Sequence, residues 1–303
     1  MEMNQAISAG EGLEVVWTRG KGCAELAEIL GGGEAGRIKG NLQEACIAHR
    51  ADLLVSRKMP GNFDLVNVAV PIDLQPEKVT SVVAAVGGGP HSLVAADTAA
   101  TIGRALDVPF EMVSASRPED DPGEAGDMLT QLRSELGEMR SRVVEVDDVS
   151  EIVEELDDGA LLVLGAPGGS WLQRAMFGPG AQLRRTAQAG AVVVRSAPDR
   201  VFRFMGEPVY VAPLRHADDT LRIHKENTLA VADEGLLVGL VRREKLTRAG
   251  DSPVGSVMEE AISVKVDETL AQAEELSPTF GSDPIPVTDH DEHLVGGLSL
   301  PVS

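Results

Sequence analysis

Aromatic side chains make up only 3% of the 303-residue chain. Hydrophobic residues reach 43%, so cores must be built from Ala, Val and Leu. Stacking on single-stranded nucleic acid needs a series of aromatic faces, and Trp17 and Trp171 stand alone. Cysteine is scarce too. Cys23 and Cys46 are the only two, which is no disulfide framework, and they read as reduced buried thiols of a cytoplasmic protein. No run approaches 18 uninterrupted apolar residues, which excludes a membrane-spanning helix. The first 16 residues show neither the basic nor the apolar region of a signal peptide. Cations are few: 27 Lys and Arg against 48 Asp and Glu give a net charge of −21. That field repels phosphate backbones and anionic lipid, so neither nucleic acid nor a membrane surface is expected as a partner.

Three zones are present. In the first, about residues 12–75, Leu13–Trp17 and Ala51–Val55 read as strands, and Ala24–Leu30 and Leu42–His49 as helices. Leu65–Val70 reads as a third strand, with Pro71 and Pro76 breaking the chain after it. In the second zone, about 79–200, near-continuous apolar runs alternate with amphipathic helices. The strands are Val82–Val86, Phe110–Ser114, Arg142–Val146, Ala160–Leu164 and Ala191–Arg195. The helical stripes are Ala95, Ala99, Ile102 and Leu106; Leu129, Leu132, Leu136 and Met139; and Val149, Ile152, Val153 and Leu156. Such alternation specifies crossovers between parallel strands and a doubly wound sheet.

In the third zone, about 207–303, Asp218-Asp219-Thr220-Leu221 recurs as Asp267-Glu268-Thr269-Leu270, and Leu237-Val238-Gly239 as Leu294-Val295-Gly296. Each copy reads as a strand, a helix and two short strands. On this alignment Leu221 to Gly239 is 18 positions and Leu270 to Gly296 is 26, so the first copy is shorter by 26 − 18 = 8 residues.

The most informative stretch is Gly165–Gly180, which follows a strand and leads into a helix. Glycines let a backbone approach a ligand closely. In an open parallel sheet, ligands bind outside the carboxyl ends of strands where the winding reverses. There Gly87-Gly88-Gly89, after the first strand of this zone, would stand beside Gly165–Gly169, after the fourth. Residues 78–200 resemble a universal stress protein domain, a five-stranded parallel fold. That family's phosphate pattern is G-x2-G-x9-G followed by Ser or Thr, and Gly165, Gly168 and Gly178 stand at this spacing. The resemblance implies ATP or AMP as ligand, with Gly87, Gly88, Gly165, Gly168, Gly169, Gly178 and Gly180 as binding residues. Two positions depart from it: Gly87 replaces the family's Asp, and Pro179 replaces the Ser or Thr. Arg174 and Arg184 are further charge partners for phosphate.

Residues 1–77 resemble a degenerate copy of the same domain. Leu42–Val55 is similar to its third helix and fourth strand, while Ser56–Gly61 keeps one glycine of the loop. This unit is expected to carry no ligand of its own and to cover a face of the main domain. Residues 207–303 resemble a pair of CBS motifs, a small α+β module. In that family's ribose signature Lys245 stands where the first copy needs an Asp; in the second, Ser299 fills the hydroxyl position and Val302 replaces the Asp. The pair is expected to serve as a docking or dimerisation element, leaving nucleotide affinity to 79–200.

His290-Asp291-Glu292-His293 reads as a turn between strands, and no metal is expected. His91 and Ser92 lack a third orienting residue, so no catalytic group is expected and any ATP hydrolysis would be slow. Together these readings imply a cytoplasmic, acidic, nucleotide-binding stress-response or regulatory protein acting through an unidentified protein partner. A homodimer is expected through the edge strand Ala191–Arg195. A nucleotide-free structural or interaction module is the alternative.

Overall fold

A computed structural model describes residues 13–31, 36–116, 122–137, 139–146, 156–166 and 189–300. The chain forms two compact units, 1–197 and 198–303.

The first unit is built on one nine-stranded sheet. Its elements begin with β1 (Val15–Trp17), α1 (Cys23–Gly31), β2 (Gly36–Arg37), α2 (Leu42–Ala48), β3 (Leu53–Val55) and β4 (Asn67–Ile72). There follow β5 (Ser81–Val86), α3 (Ser92–Leu106), β6 (Phe110–Ser116), α4 (Pro122–Leu136), β7 (Arg140–Glu145), β8 (Ala160–Gly165) and β9 (Ala191–Arg195). The strand order is β2-β1-β3-β4-β9-β8-β5-β6-β7. Every neighbouring pair is parallel except β4 and β9. Strands such as β8, buried along its whole length, can only sit inside a sheet covered on both faces. Alternate side chains serve the two cores. Val82 and Ala84 join Leu26, Ala99, Ile102 and Val163 on one face, while Val83 and Ala85 join Val113, Leu162 and Leu164 on the other.

The winding reverses twice. In the span 81–195 the chain runs outward from β5 to β6 and β7, then returns to place β8 on the other side of β5. In the leading span it runs from β1 to β2, then returns to place β3 on the other side of β1.

Several expectations are corrected here. The leading span does not lie over a face of the main sheet. It extends that sheet edge to edge, with Val68↔Arg195 through Ile72↔Ala191 in antiparallel register. The edge of β9 on which a homodimer was expected is therefore closed by β4 of the same chain. Pro71 does not end the strand before it. It lies within β4, opposite Val192. Pairing of β4 with β3 has stopped at Ala69, so a residue without an N–H sits where one side of the strand is already unpaired. Met139 belongs to no helix, since α4 stops at Leu136, yet it is buried. Of the stripe expected at 149–156, only Leu156 is among the described residues. Cys23 and Cys46 are free and buried, as the sequence suggested.

The second unit contains α5 (Val201–Phe204), β10 (Tyr210–Val211), α6 (Ala217–Ile223), β11 (Thr228–Asp233), β12 (Leu236–Arg242), α7 (Arg243–Ala249), β13 (Val264–Lys265), α8 (Leu270–Glu274), α9 (Ser277–Phe280), β14 (Ile285–Thr288) and β15 (Leu294–Leu298). Two three-stranded sheets, β10-β11-β12 and β13-β14-β15, repeat one pattern: a parallel pair, then an antiparallel pair.

The backbone bonding fixes the register of the repeat. Val201 N–H donates to Glu268 O at 2.9 Å, and Val254 N–H donates to Arg215 O at 2.8 Å. The offsets are 254 − 201 = 53 and 268 − 215 = 53. Leu270 N–H to Asp199 O and Ala217 N–H to Ser252 O obey the same offset. Beyond the helices, Gly206 pairs with Gly297 as Glu259 pairs with Leu240, so the second hairpin is offset by 297 − 240 = 57. The first copy is thus shorter by 57 − 53 = 4 residues, about one helical turn, not eight. Ala217, not Leu221, is the counterpart of Leu270. The segment opening each copy also bonds to the other copy. Asp283 adds a further tie, its buried carboxylate accepting from Asn227 N–H at 2.9 Å and Thr228 N–H at 2.8 Å.

Candidate functional site

The reversal between β5 and β8 brings the first glycine run to the first glycine of the phosphate-loop pattern. Ala85 is level with Leu164, so Gly87 and Gly88 leave β5 beside the end of β8 at Gly165. Gly168, Gly169, Gly178 and Gly180 lie outside the described residues, as do Arg174, Pro179 and Arg184.

The turn after β5 is tightly defined. Gly88 has φ +68°, a left-handed conformation that glycine adopts without strain. Gly87 N–H donates to the Ser92 hydroxyl at 3.4 Å, and Ser92 N–H donates to Gly89 O at 3.1 Å. The N–H groups of Gly88 and Gly89 have no acceptor among the described residues. The carboxyl end of β5 therefore presents, among the described residues, two unpaired backbone donors at the winding reversal.

This turn is anchored to the end of β9. Ser196 N–H donates to His91 Nδ1 at 3.1 Å, which leaves that nitrogen unprotonated and the ring proton on Nε2. The Ser196 hydroxyl lies 2.7 Å from the same nitrogen and 3.1 Å from Pro90 O. Burial, and then the charge of Arg195, hold the His91 pKa below its ordinary value. The end of β9 is itself tied to the leading span. Ala197 N–H donates to Asn67 Oδ1 at 2.9 Å, and Arg195 donates to the carbonyls of Gly61 and Phe63. Ser196 carries no motif and stands 105 positions from His91, so no local sequence signal announced the pairing. Within α3, Asp97 is buried with no hydrogen-bond partner among the described residues, and desolvation pushes its carboxyl up to about 6 against the pull of Arg104.

In the second unit, Lys245, at the position where the CBS resemblance expects an Asp, is engaged. Lys245 Nζ lies 2.8 Å from Glu259 Oε1, and Arg242 Nε lies 3.3 Å from Glu259 Oε2. These contacts hold the Glu259 carboxyl below its usual range, Lys245 foremost. In the second copy Ser299 is exposed, and Val302 lies outside the described residues. In the turn at 290–293, His290 Nε2 lies 3.1 Å from Asp267 Oδ2 and His293 Nδ1 lies 3.5 Å from Asp289 Oδ2. Among the described residues no three His, Cys, Asp or Glu side chains gather to hold a metal ion. No helix of the described residues is long and apolar enough to cross a membrane.

No family model matches the chain, and no curated protein does. Similar solved structures are CBS-domain pairs. One is the CBS-pair protein CBSX2 of Arabidopsis thaliana, 25% identical over 34% of this chain and 89% of that one, with a TM-score of 0.31. Another is the CBS domain pair/ACT domain protein of Thermotoga maritima, 23% identical over 33% of this chain and 89% of that one, with a TM-score of 0.31. The soluble part of a magnesium transporter is 20% identical over 34% of this chain, with a TM-score of 0.31, and the match spans 44% of its length. Scores of this size leave the description of this chain to its own geometry.

Proposed function

We propose that the chain is a cytoplasmic regulatory protein of the stress-response kind. On this reading it binds an adenosine nucleotide, ATP or AMP, across the carboxyl ends of β5 and β8, and reports occupancy to a protein partner without catalysis. The observation that carries this reading is the placement of Gly88 N–H and Gly89 N–H, two donors with no acceptor among the described residues, at the winding reversal beside Gly165. Free backbone N–H groups at such a point suit a phosphate. The order β7-β6-β5-β8-β9 supports it as well, since it is a doubly wound order with its crevice at that point. The resemblance of 78–200 to universal stress proteins supplies adenine as the base.

The CBS-like pair is assigned to docking. A structure of CBSX2 holds AMP, and one of the MJ0100 CBS pair holds 5′-methylthioadenosine and S-adenosylmethionine. Here the Lys245–Glu259 ion pair occupies the ribose-side position of the first copy, where a sugar hydroxyl needs a free acceptor.

Calorimetry of the full chain with ATP, ADP, AMP and S-adenosylmethionine tests the reading. An adenosine nucleotide is expected to bind the wild type. Gly88→Val is expected to lose at least tenfold in affinity, because valine strains the φ +68° turn. Equal affinity in the two proteins would remove the site from the β5–β8 crevice. Absence of binding by every nucleotide would leave an interaction module.

A further inference from the structure

We infer a second anion site in the first unit, at the reversal between β1 and β3, that takes an oligophosphate chain. Six cationic side chains stand at the carboxyl ends of three adjacent strands. Arg19 and Lys21 follow β1, Arg37 and Lys39 end and follow β2, and Arg57 and Lys58 follow β3. All six are exposed. The strands are neighbours in register, with Trp17 level with both Arg37 and Val55. Two strand spacings, about 10 Å, therefore separate the outermost pair of strands, a span matched to a chain of two or three phosphates.

The cations are not neutralised locally. Lys21 meets Asp73 at 3.6 Å, but both side chains are largely exposed, and such a pair holds little energy against a competing anion. Arg37 lies 5.7 Å above the Trp17 ring, which leaves its charge in place. Arg19, Lys39, Arg57 and Lys58 form no ion pair among the described residues. Glu25 and Glu44 lie in the first turns of α1 and α2, and Asp73 follows β4. A chain of net charge −21 thus gathers six of its 27 cations at one set of strand ends.

The loop after β1 is shaped for close approach. A Cβ on Gly20 would stand 2.8 Å from both Arg57 Cβ and Cys23 Sγ, so only glycine lets the Arg57 stem cross the loop that carries Arg19 and Lys21. That contact sets the Arg57 stem against the loop that carries Arg19 and Lys21. Arg and Lys side chains so placed bind phosphate oxygens through charge-assisted hydrogen bonds. The site is separate from the β5–β8 crevice, because the antiparallel β4–β9 junction directs the carboxyl ends of β1–β4 and of β5–β9 to opposite rims of the sheet.

The test is calorimetry of the full chain with inorganic tripolyphosphate at low ionic strength, where exposed charges act over longer distances. Wild type is expected to bind. The double variant Arg57→Glu, Lys58→Glu is expected to bind at least tenfold more weakly, and Lys225→Glu, an exposed cation of the second unit, to bind as wild type does. No binding by wild type, full affinity in the double variant, or an equal loss in Lys225→Glu would each overturn the site. Binding of poly-glutamate in preference to tripolyphosphate would overturn it in favour of an acidic protein segment. Gly88→Val separates the two readings: it is expected to leave tripolyphosphate binding intact whether or not the β5–β8 crevice takes a nucleotide.

Discussion

Met258 lies so close over Gly239 that a Cβ on the glycine would stand 3.1 Å from the Met258 sulfur and 2.7 Å from Glu259 O. The second copy repeats the relationship, with Met205 Sδ 2.8 Å and Gly206 O 3.0 Å from a Cβ on Gly296. The backbone oxygens cannot retreat without breaking the bridges Leu240↔Glu259 and Gly206↔Gly297. Gly239→Ala is therefore expected to destabilise the second unit by about 1–3 kcal/mol. Gly126→Ala should do the reverse: it lies inside α4 with nothing within 4 Å, and removing a helical glycine gains about 0.5–1 kcal/mol. Urea unfolding of both variants measures the contrast, and equal stability of Gly239→Ala and wild type would refute the packing.

The buried carboxyl of Asp97 makes a prediction with a definite sign. Desolvation raises it from 3.8 to about 6, so between those values the folded chain holds a proton that the unfolded chain has released. Stability then falls as pH rises through that window and stays low above it. Asp97→Asn should remove this slope and stabilise the protein at pH 7.5 by about 1–3 kcal/mol. Thermal melts of the two proteins from pH 4 to 8 give the difference curve. Parallel curves would show that Asp97 does not titrate in this window.

Much of the sheet domain was readable because its strands are buried on both faces. Ser81–Val86 and Ala160–Gly165 are apolar runs that fit nothing but the interior of a covered parallel sheet. The two-residue strand Gly36–Arg37 had no such run, and its pairing with β1 follows from tertiary structure alone. Pro71 misled because a proline ends a strand only where its N–H is needed, and β4 had already parted from β3. The repeat in the second unit was seen, but its register was not. Asp218-Asp219-Thr220 lies inside the first turn of α6, whereas Thr269, its apparent match, is the N-cap of α8.

The glycines of the β5–β8 crevice were legible as a motif. The six cations were not, because they lie dispersed at positions 19, 21, 37, 39, 57 and 58. One signal was available: each pair follows or ends a strand, and parallel neighbours share their carboxyl ends.

The closure of β9 can be tested without altering the protein. Strand β9 pairs with β8 on one side and β4 on the other. Its amides from Val192 to Val194 should exchange with solvent only on global unfolding. Rapid exchange there in an otherwise folded chain would reopen β9 as an association surface.

The β4–β9 junction also bears on how the protein responds to its own abundance. Two sheets that meet by diffusion separate on dilution, so their union reports how much protein a cell contains. Here the meeting strands are joined through one continuous backbone, and their effective concentration is set by the tether. The nine-stranded sheet is consequently as complete in a single molecule as in a crowded cell. The joining of β4 to β9 is therefore indifferent to copy number.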